Sequence, residues 1–167
     1  MFDKLYTMVQ QFNMLAGLPQ EFDAQSEEFW KRLEQQIKVV VEEVKEMEAA
    51  VAARDLVEVL DGTVDVFVTN SGVMDILQKS GVSVYGAGYE VCANNLTKMT
   101  QNPALAKQTV VMYDEQHVPT YIERKIVMDG IYPREWYTVR RVEDNKIMKP
   151  FGYQRVSLGK FVPGGDE

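Results

Sequence analysis

The sequence predicts a mainly α fold: an antiparallel bundle of four to five helices with a small antiparallel β excursion near the C-terminus. Three observations predict it. Apolar residues recur at steps of three and four from Phe29 to Met47, the period of a helix face. A second apolar-rich helical stretch follows directly, from Asp55 to about Leu77. After residue 107 the texture changes to the β-branched and aromatic runs "QTVVMY", "TYIERKIVM" and "EWYTVRRV", the signature of short strands.

The elements follow in order. Residues 1–17 read as a helix with Phe2, Leu5, Met8, Val9 and Phe12 on one side, broken by Gly17 and Pro19. Ser26 is the expected N-cap of the next helix, with Glu27 and Glu28 favourable in its first turn. Phe29, Leu33, Ile37, Val40, Val44 and Met47 form its seam, and it runs to about Ala53. From Asp55 to about Leu77 the apolar residues surround nearly the whole cylinder, which predicts a central helix. "QKSGVSVYGAG" reads as a loop, and a fourth helix is expected from Tyr89 to Met99, ending near Asn102-Pro103. Pro119, Asp129-Gly130 and Asp144-Asn145 punctuate the strand-like runs. The expected organisation is one domain over 1–167: a helical core to about 103, a β-rich insertion over about 108–148 and a tail over 149–167.

Composition bounds the function. A chain of 167 residues that is 46% apolar and 26% charged can bury a real core. The net charge of −7 argues against a nucleic-acid polymer or an anionic membrane as partner, since both attract basic surfaces. It leaves a nucleotide substrate open, because a metal ion bridges acid to phosphate. One cysteine, Cys92, permits no internal disulfide. The first residues lack a signal-peptide pattern, and no apolar run nears the roughly 20 residues of a membrane span. A cytoplasmic protein is the expectation.

The stretch "VEEVKEMEAAVAARDLVEVLDGTVD" raises the chemical question. Glu43 and Glu46 lie one turn apart on a side shared with Val39, Ala50 and Ala53. Glu42 points further round, beside Lys38 and Lys45. On the next helix Glu58, Asp61 and Asp65 fall within about 60° of one another, flanked by valines. Surface acids that merely face water, or an Asp55–Glu58 capping box, account for some of them. No matching basic stripe accounts for the rest, and burying unpaired carboxylates costs several kcal/mol each. If the two helices pack as an antiparallel hairpin, four or five acids converge. A hard divalent cation, Mg²⁺ or Mn²⁺, resolves that repulsion, and such ions recruit phosphates.

These residues resemble a family. "EEVKE" at 42–46, followed by an acid-bearing helix, is similar to the all-α nucleoside triphosphate pyrophosphohydrolases: MazG-like proteins, all-α dUTPases, dCTP pyrophosphatases and phosphoribosyl-ATP pyrophosphohydrolases. Their pattern is EExxE, a gap, then ExxD. Glu42, Glu43 and Glu46 fit the first half. For the second half two registers stand open: Glu58 with Asp61 spells ExxD literally, whereas Asp61 with Asp65 places Gly62 where the family has Glu. "MVQQFNMLAGLP" resembles a leading helix in which His stands at Asn13. "EVCANNLTK" resembles the fourth-helix pattern through Asn95 and Lys98, and "NKIMKPFGY" a closing segment through Lys149, Pro150 and Tyr153.

The resemblance implies conversion of a nucleoside triphosphate and water to a monophosphate and diphosphate. It implies Mg²⁺, or Mn²⁺, on Glu43, Glu46, Glu58, Asp61 and Asp65, with Glu42 accepting a proton. Asn13, Asn95, Lys98, Lys149 and Tyr153 would contact substrate, in a homodimer or homotetramer. Two alternatives remain: a non-catalytic helical oligomer binding a nucleotide or protein, and a pyrophosphohydrolase acting on a phosphoribosyl nucleotide or alarmone. His117 is expected as an exposed loop residue, "GAG" at 86–88 is too short for a phosphate loop, and Cys92 is expected as a packed small residue.

Overall fold

The computed structural model describes residues 2–166, without the side chain of Phe2. The apolar role expected of Phe2 therefore lies outside the described residues. Among these residues there are five α-helices and one three-stranded antiparallel sheet, the class the sequence predicts. The chain divides into two compact units, one of residues up to Val84 together with those from Gly159, the other Tyr85–Leu158. The sequence places the change of texture near residue 107, whereas the division falls at 84/85 and 158/159. Among the described residues no helix is long and apolar enough to cross a membrane.

The first unit is built on α1 (Phe2–Leu15), α2 (Glu27–Ala53) and α3 (Leu56–Lys79). Gly17, at φ 83°, ends the turn after α1 in a backbone conformation that favours glycine. Ser26 caps α2 in extended conformation and accepts from the Phe29 N–H, as its residue type predicts. Only Arg54 and Asp55 separate α2 from α3. Arg54 takes the left-handed conformation (φ 57°) and returns its N–H to the Ala50 and Val51 carbonyls, closing the helix end. Asp55 caps α3 by accepting from the Val57 and Glu58 N–H groups. So short a link forces α2 and α3 into an antiparallel hairpin.

The core of this unit sits at one end of the hairpin. Leu18, Phe29, Leu33 and Ile76 are buried together, with Phe22, Ala24, Val73 and Leu77 against them. The Phe22 and Phe29 rings are 6.1 Å apart, and Trp30 meets Phe29 edge-on at 5.2 Å. The prediction of a central α3 holds only for its second half. Ser71, Gly72, Asp75 and Ile76 are buried, but Leu56, Val57, Leu60 and Val64 are exposed. Among the described residues of this unit, the loop after Leu15 covers only that end, and the apolar residues near the Arg54 turn stay exposed. Residues from Gly159 return to the first unit, where the Ser83 N–H donates to the Phe161 carbonyl at 2.8 Å.

The second unit holds α4 (Val84–Leu96), β1 (Met99–Thr100), α5 (Pro103–Glu115), β2 (Thr120–Asp129) and β3 (Tyr132–Arg141), with sheet order β1-β3-β2. Three expectations are corrected here. α4 begins five residues early and takes Gly86 and Gly88 into the helix, while Met99 joins a strand. "QTVVMY", expected as a strand, lies in α5. Asn102-Pro103 starts a helix rather than ending one: Asn102 is the N-cap, accepting from Ala104 and Leu105, and Pro103 stands in the first turn, where its missing N–H costs nothing. Ala106 and Thr109 are buried along α5 and Val139 on β3. Thr109 also accepts from the Phe151 N–H at 3.0 Å. β2 and β3 form the expected hairpin, with Gly130 (φ 62°) at the first of its two loop positions, where a type II′ turn needs glycine.

Candidate metal centre on the helix hairpin

The hairpin register decides which acids meet. A Cβ on Gly62 would lie 2.9 Å from the Met47 Cβ, and one on Gly72 would lie 2.8 Å from the Gln36 amide. These two glycines let α2 and α3 approach closely, with Met47 against Gly62 and Gln36 against Gly72, a register that brings Glu43 under the charge of Asp65. The Gln36 amide reaches over and donates to the Thr69 carbonyl at 2.9 Å. Any side chain at position 62 would drive its Cβ into Met47.

Electrostatics report the same convergence. The Glu43 carboxyl is held above the usual glutamate range, first by partial desolvation, then by the negative charges of Asp65, Glu46, Glu42 and Asp61. Four of the predicted acids thus act on the fifth across two helices. Glu58 is not among them. It sits in the first turn of α3, where its N–H donates to Asp55 at 3.2 Å. Lys38, expected beside Glu42, instead pairs with Glu34 at 2.8 Å. Among the described residues, none of Glu42, Glu43, Glu46, Glu58, Asp61 and Asp65 has a basic partner within 4.0 Å. The first unit concentrates this imbalance: it carries seventeen acids against eight bases, and the second unit eight acids against ten bases.

The donor set suits a hard cation in chemistry, since every group is a carboxylate. Glu42, Glu46, Asp61 and Glu58 are exposed, and Glu43 and Asp65 half-buried. Among the described residues, no three or more His, Cys, Asp or Glu groups already converge as a metal-holding cluster. Closing the set requires rotation of exposed carboxylate side chains, which costs up to about 2 kcal/mol of rotamer freedom for each glutamate.

The remaining predicted residues are placed as follows. Asn13 is half-buried on α1 and donates to Asp75 at 2.9 Å. Asn95, Lys98, Lys149 and Tyr153 belong to the second unit. There Lys149 stands over the Tyr153 ring at 5.4 Å, and the Tyr113 hydroxyl donates to the Lys149 carbonyl. The Tyr153 hydroxyl accepts from Asn94 at 2.8 Å, while Asn95 and Lys98 make no side-chain hydrogen bond among the described residues. Cys92, expected to be packed, is exposed. His117 is exposed just past α5, in the left-handed conformation (φ 56°).

One residue escaped sequence reasoning. Asp75 is fully buried and accepts from Asn13, from Gln10 at 3.4 Å and from Lys79 at 3.0 Å. This buried acid ties α1 to α3 and lines an open cleft of about 580 Å³ with Gln20, Phe22 and Gln78. Its signal was the i,i+4 spacing to Lys79 within a run of small and apolar residues. No protein-family model, curated protein or solved structure matches this chain, so its functional assignment rests on the residues themselves.

Proposed function

We propose that the chain is a divalent-cation-dependent nucleoside triphosphate pyrophosphohydrolase, with Glu43, Glu46, Asp61 and Asp65 as the residues that hold the ion. The observation that carries this is the close approach of α2 and α3 at Gly62 and Gly72, which gathers Glu42, Glu43, Glu46, Asp61 and Asp65 on one hairpin with no basic partner within 4.0 Å among the described residues; the raised Glu43 carboxyl agrees with it. The resemblance of Glu42, Glu43 and Glu46 to the EExxE pattern points the same way. Of the two registers, the field at Glu43 favours Asp61 with Asp65, and Glu58 serves the start of α3.

A bound Mg²⁺ supplies neutralisation of the triphosphate oxygens and a lowered pKa for water. The chain's own acids do the rest. Glu43 and Asp65, facing each other across the hairpin, set where the triphosphate can sit. Water attacks the α-phosphorus, the α–β anhydride bond breaks, and diphosphate leaves. Glu42, the exposed acid beside this group, accepts the proton of the attacking water. Asn13 acts through Asp75 in holding α1 to α3.

The test is a panel of ribo- and deoxyribonucleoside triphosphates with and without Mg²⁺, with products identified by ³¹P NMR. The expected products are a monophosphate and diphosphate, formed only with the ion and abolished by Glu46→Ala. Release of orthophosphate, or full turnover by Glu46→Ala, overturns the assignment. The exposed row Val57, Leu60, Val64 and Val68 on α3 favours covering of this face by a second copy, in a homodimer or homotetramer.

A further inference from the structure

We propose that β2 is a self-association edge, at which two copies of the chain pair their β2 strands antiparallel about Arg124. The sheet order β1-β3-β2 leaves β2 on the outside, and among the described residues no strand or loop backbone bonds its outer edge. Ten residues is long for an open edge, because unpaired N–H and C=O groups invite another strand.

The register with β3 fixes which groups face outward. Asp129 and Tyr132 flank the two-residue loop as the bonded pair that closes such a hairpin. Bonded and non-bonded pairs alternate in an antiparallel ladder. Val127, Lys125, Glu123 and Tyr121 therefore direct their backbone to β3, whereas Thr120, Ile122, Arg124, Ile126 and Met128 direct theirs outward. A two-fold axis through Arg124 brings outward groups of one copy onto outward groups of the other: Ile122 opposite Ile126, and Arg124 opposite itself.

Charge selects this register among its neighbours. Centred on Arg124, Glu123 of each copy, which in its own chain pairs with Arg140 at 2.6 Å and Lys125 at 3.2 Å, lies opposite Lys125 of the other, in the non-bonded positions where side chains approach most closely. A shift of the centre to Glu123 or to Lys125 sets like charges face to face. The central arginines meet with their charge already balanced, since each is paired with its own Glu135. The same register sets Tyr121 opposite Val127, and it covers Ile126, which is 62% exposed in the single chain.

Charge-reversal complementation tests this on the full chain, by light scattering after size-exclusion chromatography. Glu123→Lys and Lys125→Glu should each halve the particle mass of the wild type, since each sets like charges across the axis. An equimolar mixture of the two variants should restore the wild-type mass, because every cross-axis pair is then Lys opposite Glu. Restoration also establishes that both variants are folded. A monomeric wild type, unchanged mass in the single variants, or a mixture that stays at half mass overturns the proposal. The assay is independent of nucleotide hydrolysis.

Discussion

Substitution of Gly62 by alanine probes the contact that brings the acids together. The new methyl would stand 2.9 Å from the Met47 Cβ and 3.2 Å from the Met47 Cα. Neither atom is the free end of a flexible side chain, so the helices must separate. Overpacking of this kind costs about 1–3 kcal/mol, and exchange of glycine for alanine inside a helix returns about 1 kcal/mol. The net expectation is a loss of about 1 kcal/mol, or about 2–4 °C in Tm for a chain of this size. Gly88 is the control: it lies within α4, and a Cβ there meets nothing within 4 Å. Gly88→Ala should stabilise by about 1 kcal/mol through propensity alone. Urea denaturation followed by circular dichroism reads both. NMR titration of the Glu43 carboxyl reads the site, and its pKa should fall toward the ordinary value in Gly62→Ala as Asp61 and Asp65 recede. Equal stabilisation by both substitutions, with the Glu43 titration unmoved, would refute close packing at Gly62.

Because the Glu43 pKa is raised in the folded chain, folding binds a proton just above the ordinary glutamate range. The stability from this group is present below that range and lost as pH rises through the raised value. Glu43→Gln should flatten that limb of a stability–pH curve. Glu123, held low by its hydrogen bond from Arg140, and Glu135, held low by the Tyr137 hydroxyl and Arg124, act with opposite sign, losing stability as pH falls. Thermal melts across an acid series, with hydrogen exchange resolving the two units, check both signs. Asp75→Ala leaves the Lys79 ammonium, 12% exposed, without its buried partner. A loss of about 3–5 kcal/mol is expected, and urea titration measures it.

What was legible in the sequence was local. The caps Ser26 and Asp55 and the extents of α2 and α3 depend on neighbours within a turn or two and are found in place, but of the α2 seam only Phe29 and Leu33 are buried and Ile37 is exposed. The β2–β3 hairpin is legible for the same reason, since Gly130 and alternating β-branched residues specify it locally. α5 was not, because Thr109, Val110 and Val111 favour strands. The burial of Ala106 and Thr109 overrides that preference, and the Asn102-Pro103 cap marks the start. Gly86 and Gly88 hid the start of α4 in the same way. The acids of the candidate site were legible as residues, but not their pairing. Whether Asp65 or Glu58 faces Glu43 depends on the α2–α3 register, which Met47 against Gly62 fixes and no local pattern carries. Asp75 went unseen because its partners Asn13 and Gln10 lie more than sixty residues away in sequence.

Paramagnetic broadening by substoichiometric Mn²⁺, read by NMR on the carboxyl groups of the intact chain, tests the ion-binding role of the hairpin most directly. Signals of Glu43, Glu46, Asp61 and Asp65 should broaden first and most, Glu58, one turn from Asp61, should broaden less, excess Mg²⁺ should reverse the effect, and Glu46→Ala should weaken it. Broadening spread evenly over the surface acids, or centred on Glu58 or on residues outside α2 and α3, would contradict the account.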